Sequence, residues 1–256
     1  MSYTPKITVV TVIYNAENTI ANCLKSVSAQ TYTNVEHIII DGVSNDKSLA
    51  IIEANKAVNV KVFSEPDTGI YNAMNKGIEK ATGEYIIFLN ADDCYASPTV
   101  LNNMVDFLLL HQLDAVSAGV KIYKTGNKKP YRIYKATHFK KWMFILGHQP
   151  PHPGFLCSKK AIVNNAAFKD EFFNEQFKIA GDFDLMLRLI YKAKVKWKTM
   201  PIFAVNMLYG GASSGSISKT KLLNKEVLQS LKNNHLLSSK FLVYCKYFFK
   251  VFQLRG

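Results

Sequence analysis

Cysteine is scarce in this chain and poorly placed for binding or stapling. Cys23, Cys94, Cys157 and Cys245 are scattered with no CxxC spacing, which excludes a zinc ribbon and a dense disulfide framework and favours a reducing compartment. Long apolar runs are missing too: no stretch approaches the roughly 18 residues of a membrane span. The opening MSYTPKITVVTVIYN has no basic region or small-residue cleavage site, so no secretory signal is expected. Glycine (13) and proline (8) are too few for a collagen-like or low-complexity chain, and no repeat recurs. Acidic residues are short as well, 19 against 32 Lys and Arg, giving a net charge of +13. What remains is 256 residues at 48% hydrophobic and 20% charged, a globular composition that excludes disorder as the main state.

The basic excess calls for an anionic partner: nucleic acid, a phosphorylated small molecule or an anionic membrane. Over residues 219–256, eight basic side chains (Lys219, Lys221, Lys225, Lys232, Lys240, Lys246, Lys250, Arg255) face one acid, Glu226. More than half of the excess therefore sits in the tail. Body and tail need separate explanations.

The body alternates β-like and helix-like segments. Strands are expected over 7–13, 35–41, 60–64 and 85–90. Helices are expected over 17–29, 47–55 with Asp46 as its cap, 71–81 and 99–111. That alternation is the pattern of βαβ units and a mainly parallel sheet. In such a sheet the segments 14–17, 41–46, 65–69 and 90–93 gather along the carboxyl edge, where ligands bind. The second half is less regular. A hairpin is expected between 116–123 and 131–134 across Gly126-Asn127, a helix over 182–191, and short strands at 195–200 and 203–207.

Several residues at that edge have chemistry to offer. Asp92 and Asp93 end a buried strand, where neighbouring carboxylates repel unless a hard divalent ion neutralises them; a turn or helix cap is the alternative. Asp41 is either a ligand acceptor or a turn residue. Asp182 and Asp184 stand at the start of a helix as candidate general bases, with a helix cap as the alternative role for one of them. His148 and His152 flank a proline-stiffened loop, and Gly210, Gly211, Ser213 and Ser214 could offer donors to phosphate oxygens.

The tail over 236–254 (LLSSKFLVYCKYFFKVFQL) interleaves aromatics with lysine. On a helical wheel Lys240, Lys246 and Lys250 fall at about 0°, 240° and 280°, leaving the rest apolar. Such a helix suits the surface of an anionic bilayer, or else docks on the protein itself. Nucleic acid is disfavoured as the partner, because the tail lysines stand among Phe, Leu and Val and no DNA- or RNA-reading motif occurs.

Taken in order, ITVVTVIYNAENTI, SVSAQTYTNVEHIIIDGVSND, SEPDTGIYNAMNKGIEKATGEYIIFLNADD, PPHPGFL, IAGDFDLMLRL and YGGASS resemble a family 2 glycosyltransferase of the GT-A fold over residues 5–216. The resemblance implies an α/β catalytic domain over 1–216, with a mainly parallel sheet, and a basic amphipathic tail over 217–256. It implies that Thr11, Tyr14 and Glu17 line a nucleotide pocket, that Asp41 contacts the base, and that Asp67 and Asn75 complete that side. Asn90-Ala91-Asp92-Asp93 stands at the family's D-x-D position, which places Asn90 and Ala91 beside the donor and Asp92, with Asp93, at a Mg²⁺ or Mn²⁺ ion. Asp182 matches the family's catalytic base, with Asp184 in support, while His152, Gly210, Gly211 and Ser213 close over the diphosphate or acceptor. Three positions depart from the family: Asn90 replaces the first Asp, Gly181 replaces the Glu of an E-D pair, and Met74 stands where many relatives carry Arg. The implied activity is inverting transfer of a sugar from a nucleotide-sugar, a UDP-sugar, to a polyprenyl-linked saccharide of a bacterial surface polysaccharide. The implied place is the cytoplasmic face of the membrane. The three departures keep a non-catalytic nucleotide- or sugar-binding module as the alternative.

Overall fold

The structure is a computed structural model that describes residues 3–168, 171–210 and 217–245. Its first half follows the expected alternation: β1 (Ile7–Ile13), α1 (Ile20–Ser28), β2 (Val35–Asp41), α2 (Ser48–Asn55), β3 (Val60–Ser64), α3 (Ile70–Lys80) and β4 (Tyr85–Phe88), then a short β5 (Cys94–Tyr95) and α4 (Val100–Leu110). Strands β3, β2, β1 and β4 lie side by side in parallel. Successive residues point to opposite faces of a strand, and here both directions are apolar. Val10, Ile38, Ile40, Ile86 and Phe88 pack under α3. Val9, Ile39 and Ile87 pack on the other face under α1, α2 and α4. In α1 the buried set Ile20, Cys23, Leu24 and Val27 is one helical stripe, which fixes the face that docks.

The second half departs from the expected parallel sheet. It adds β6 (Ala115–Tyr123), β7 (Arg132–Tyr134), β8 (Phe155–Ser158) and β9 (Trp197–Leu208). Strand β8 lies between β4 and β6 and runs antiparallel to both; β9 runs parallel to β6 and antiparallel to β5. The sheet is therefore mixed. The residues between β6 and β8 hold only β7 and short 3₁₀ turns, without the helical crossover a parallel return uses. The β6–β7 hairpin forms as expected, with Gly126 at φ 78° in its turn. The two strands expected on either side of Pro201 are one, because Pro201 sits where the register against β6 slips between Ser117 and Gly119, so its missing N–H breaks no ladder bond.

Three helices complete the fold: α5 (Lys159–Asn164), α6 (Gly181–Met186), continued by a wider turn over Leu187–Lys192, and α7 (Ile217–Asn233). Helix α7 packs on α6, and its Val227 and Leu231 join Phe183, Leu187 and Val243 in the core. The boundary expected at residue 216 is thus not a boundary of the core. Within this helix Leu223, Val227, Leu228 and Leu231 pack on the protein itself. Beyond α7, Leu237 and Phe241 are 94% and 77% exposed. The rest of the expected tail helix, with Lys246 and Lys250, lies outside the described residues.

Candidate active site

Four strand-end segments meet at the carboxyl edge of β1–β4. Asn15 N–H donates to Ser44 Oγ (2.9 Å), Asn45 N–H to Asn15 Oδ1 (2.9 Å) and Lys47 N–H to Glu17 Oε2 (3.0 Å), which sews the β1 and β2 loops together. Gly42 has no room for a side chain: a Cβ there would lie 2.4 Å from Asp67 Oδ2 and 3.6 Å from Tyr14 Cδ2. Tyr14 and Asp67 are thereby brought together, Tyr14 largely exposed and Asp67 half-buried. Asp46 accepts Ser48 N–H (2.9 Å) at the start of α2, as a cap does.

Three residues expected to line a nucleotide pocket make their contacts within the protein instead. Thr11 is fully buried, its hydroxyl 2.9 Å from His37 Nε2 under α1, because it occupies a core-facing position of β1. Asp41 is fully buried and receives the Ser44 hydroxyl (2.6 Å), the Ser64 hydroxyl (2.6 Å) and Ser44 N–H (3.2 Å), so it closes its own turn. Asn75 donates to Phe173 O (3.0 Å) and Glu175 Oε1 (2.8 Å) and accepts Phe173 N–H (2.7 Å), which makes it a brace between α3 and the 173–175 segment. Glu17 holds a loop through Lys47 while remaining partly exposed.

In the turn after β4 the two acids separate. Asp93 is 1% exposed and accepts from Asn90 Nδ2 (3.1 Å) and the Leu208 backbone, while burial, and then the charge of Asp92, push its carboxyl well above the usual range. It is a poor ligand candidate, because its carboxylate faces protein. Asn90 gains a reason here, since an aspartate at that place would repel Asp93 where the amide donates to it. Asp92 and Ala91 stay half-exposed, and burial raises the Asp92 carboxyl. Among the described residues no three His, Cys, Asp or Glu side chains group to hold a metal alone. The donor set does fit Mg²⁺ or Mn²⁺ of the kind that takes one or two carboxylates and completes its shell with water and substrate phosphates.

The second pair of acids separates likewise. Asp184 is 3% exposed and accepts from Arg188 Nε (2.8 Å), Ser230 Oγ (2.7 Å) and Asn234 Nδ2 (3.0 Å). It acts as a structural anchor, since its acceptor positions are filled from the turn after α6, from α7 and from the residue that follows α7. Asp182 remains half-exposed, with Phe183 N–H on Oδ1 (2.8 Å) and the Gln149 amide on Oδ2 (2.6 Å). Gly181 is where it is because of Tyr71: a Cβ would meet the Tyr71 ring at 2.8 Å. Met74 lies in the core beneath α3.

His152 joins the two turns. Its ring stacks on Phe88 (5.2 Å), two residues before Asn90, and meets the edge of Phe173 (6.0 Å), which stacks on Tyr71 (5.5 Å). Burial lowers its pKa, partly countered by the nearby Asp182 charge, which favours the neutral ring. Its Nε2 has no hydrogen-bond partner among the described residues. Gly210 is exposed at φ 125°, and Gly211 and Ser213 lie outside the described residues. Sequence reasoning missed Gln149, Tyr71 and Glu226. Only Glu226 left a signal, as the lone acid of a basic tail.

A sequence profile for glycosyl transferase family 2 matches residues 8–172, and the chain belongs to that family. An uncharacterised glycosyltransferase of Mycobacterium tuberculosis is 37% identical over 109 residues, 42% of this chain and 42% of that protein. A PGL/p-HBAD biosynthesis glycosyltransferase of Mycobacterium bovis is 29% identical over 126 residues, 48% of this chain and 49% of that protein. The matched segments thus span less than half the length of these relatives. Among solved structures, Staphylococcus aureus TarS 1–349 in complex with UDP-GlcNAc superposes with a TM-score of 0.68 at 18% identity, covering 89% of this chain and 67% of that one. The Pyrobaculum calidifontis mannosyltransferase PcManGT in complex with GDP-Man and Mn²⁺ gives 0.67 at 17%, covering 96% and 70%. The fold is GT-A.

Proposed function

We propose that the chain is an inverting, metal-dependent hexosyltransferase. It moves a sugar from a nucleotide-sugar, a UDP-sugar, to a hydroxyl of a polyprenyl-linked saccharide in bacterial surface-polysaccharide synthesis. The observation that carries this is Asp182: of the two acids on its turn, it is the one whose carboxylate is held in a fixed orientation without being buried. Asp182 takes the proton of the acceptor hydroxyl as that oxygen bonds to the anomeric carbon. The bond from that carbon to the diphosphate breaks on the opposite face, and the nucleoside diphosphate leaves with the electron pair, so one displacement inverts the configuration. Tyr14 and Asp67 line the nucleotide side. Asp92 would hold the divalent ion, which when bound supplies Lewis-acid neutralisation of the leaving diphosphate. Support for a nucleotide-sugar donor comes from the UDP-GlcNAc and GDP-Man complexes of the structural neighbours.

UDP-, GDP- and dTDP-sugars screened for Mn²⁺-dependent turnover test the reading. Asp182→Asn should keep donor binding and lose transfer; transfer that survives it removes the base. The place of work is the inner membrane face, supported by exposed Leu237 and Phe241 beside exposed Lys240. Each large apolar side chain buried contributes about 1.5–3 kcal/mol, so Leu237→Ser with Phe241→Ser should lower partition onto phosphatidylglycerol vesicles at least tenfold. Unchanged partition would move the docking surface elsewhere.

A further inference from the structure

We infer that Glu226, on the C-terminal helix, is a positioning residue for Asp182. Its carboxylate accepts three consecutive backbone N–H groups, from Lys178 (2.9 Å, Oε1), Ile179 (2.9 Å, Oε2) and Ala180 (2.9 Å, Oε2), in the turn that delivers Asp182. The next two N–H groups, of Gly181 and Asp182, lie against the Tyr71 hydroxyl. Phe183 N–H goes to the Asp182 carboxylate, and Asp184 N–H to Ala180 O (3.0 Å). Five of the seven backbone donors from 178 to 184 thus have hydrogen-bond partners, and three of those five depend on one side chain of α7. A buried carboxylate that collects several N–H groups fixes a backbone more firmly than neutral acceptors do.

The grip is built on one face of α7. Glu226, Ser230 and Asn234 are spaced four residues apart, so they stand above one another along the helix. Glu226 holds the chain before Asp182, while Ser230 and Asn234 hold Asp184 after it. Asp182 projects from between the two clamped points. A single helix, read in the sequence as part of a membrane tail, thus sets the position of the carboxylate. Glu226 touches no reacting atom and acts only through this turn. The inference rests on Asp182 being the base.

The test compares the full chain with Glu226→Gln, which keeps the shape but replaces one acceptor oxygen with a donor, and with Val227→Ala, which weakens the same helix's packing without touching the clamp. Hydrolysis of UDP-N-acetylglucosamine and GDP-mannose with Mn²⁺ is followed alongside thermal unfolding and amide hydrogen exchange. Glu226→Gln should lower kcat tenfold or more with the donor KM within twofold, and speed exchange at 178–180 selectively. Val227→Ala should lower the unfolding midpoint with kcat within twofold. Equal kcat losses at equal destabilisation would overturn the inference, as would unchanged exchange over 178–184, which decides even where neither sugar nucleotide is turned over. If Asp182→Asn abolishes this hydrolysis while Glu226→Gln does not slow it, the clamp fails and the base stands. If Asp182→Asn leaves hydrolysis intact, both fall.

Discussion

The turns at 90–93 and 181–184 each carry two acids, and each sends one inward and leaves the other accessible. What differs is how the inward acid is compensated. Asp184 meets the Arg188 guanidinium and two neutral donors, whereas Asp93 meets one amide and one backbone N–H, and among the described residues no ion pair reaches it. Burying a charge is tolerable when a counter-charge and hydrogen bonds replace water, and costly otherwise. The 181–184 turn is electrostatically complete as it stands. The 90–93 turn is short of positive charge, which is what a bound divalent cation would supply.

The sharpest way to break this comparison is to neutralise each acid of the second turn separately. Asp182→Asn should cost about 10²–10⁴-fold in transfer with little change in unfolding temperature. Asp184→Asn should cost about 3–5 kcal/mol of stability, because Arg188 loses its buried partner. Thermal unfolding and initial rates, measured together, separate the two. A reversed pattern would exchange their roles.

At the first turn the expected split is similar in kind and smaller in stability. Asp92→Asn should lower Mn²⁺-dependent transfer on the order of 10²-fold, seen as loss of the response in a Mn²⁺ titration. Asp93→Asn preserves the shape and replaces a carboxyl whose charged form burial already disfavours, so its stability should lie within about 1 kcal/mol of wild type. Strong destabilisation by Asp93→Asn would mean that its charge is compensated after all.

Gly181→Ala tests whether Tyr71 explains the missing glutamate. The added Cβ runs into the ring face at 2.8 Å, and overpacking of this kind costs about 1–3 kcal/mol. Tyr71→Leu should recover part of that loss in a double-mutant cycle. Independent, additive effects would separate the two positions.

How much of this could be read from the sequence follows the same division of the molecule. Residues 7–110, apart from the two-residue β5, were legible because the strands there are short apolar runs, the helices lie between them, and each loop has its own polar cluster. The direction of β8 was not, since strand pairing is a long-range property that four residues do not encode. Thr11, Asp41 and Asn75 have plausible chemistry, and only burial shows that it is spent on the fold. The separate use of Asp182 and Asp184 depends on Ser230 and Asn234, nearly fifty residues away, and no local pattern announces such a partner.

A probe far from both turns shows that stability and activity can be moved apart. Glu36, at the amino end of β2, is buried, which alone would raise its carboxyl, but bonds from Thr8, from the Thr82 backbone and hydroxyl, and from Lys6 outweigh this and pull it down to about 2. A carboxyl depressed on folding stabilises the native state above its unfolded pKa, and the contribution disappears as pH falls through the folded value. Glu36→Gln should therefore cost about 2 kcal/mol near neutrality, with the gap to wild type closing between roughly pH 4.5 and 2 in denaturant titrations. A gap independent of pH would mean that shape, not charge, is what Glu36 contributes.

The smallest expected effect lies at the carboxyl edge itself. Asn15 and Val43 both adopt left-handed backbone, at φ 54° and 62°. Asparagine tolerates that region, while a β-branched residue there is strained by about 1–2 kcal/mol. Val43→Gly relieves the strain but loosens the unfolded chain by about 0.5–1 kcal/mol, so the net gain should stay below about 1 kcal/mol. Unfolding midpoints measure the gain, and UDP binding shows whether it carries a cost. A more stable variant that binds UDP less well would place the strain in the service of the nucleotide loop; a more stable variant with unchanged binding would leave Val43 as a packing compromise beside Gly42.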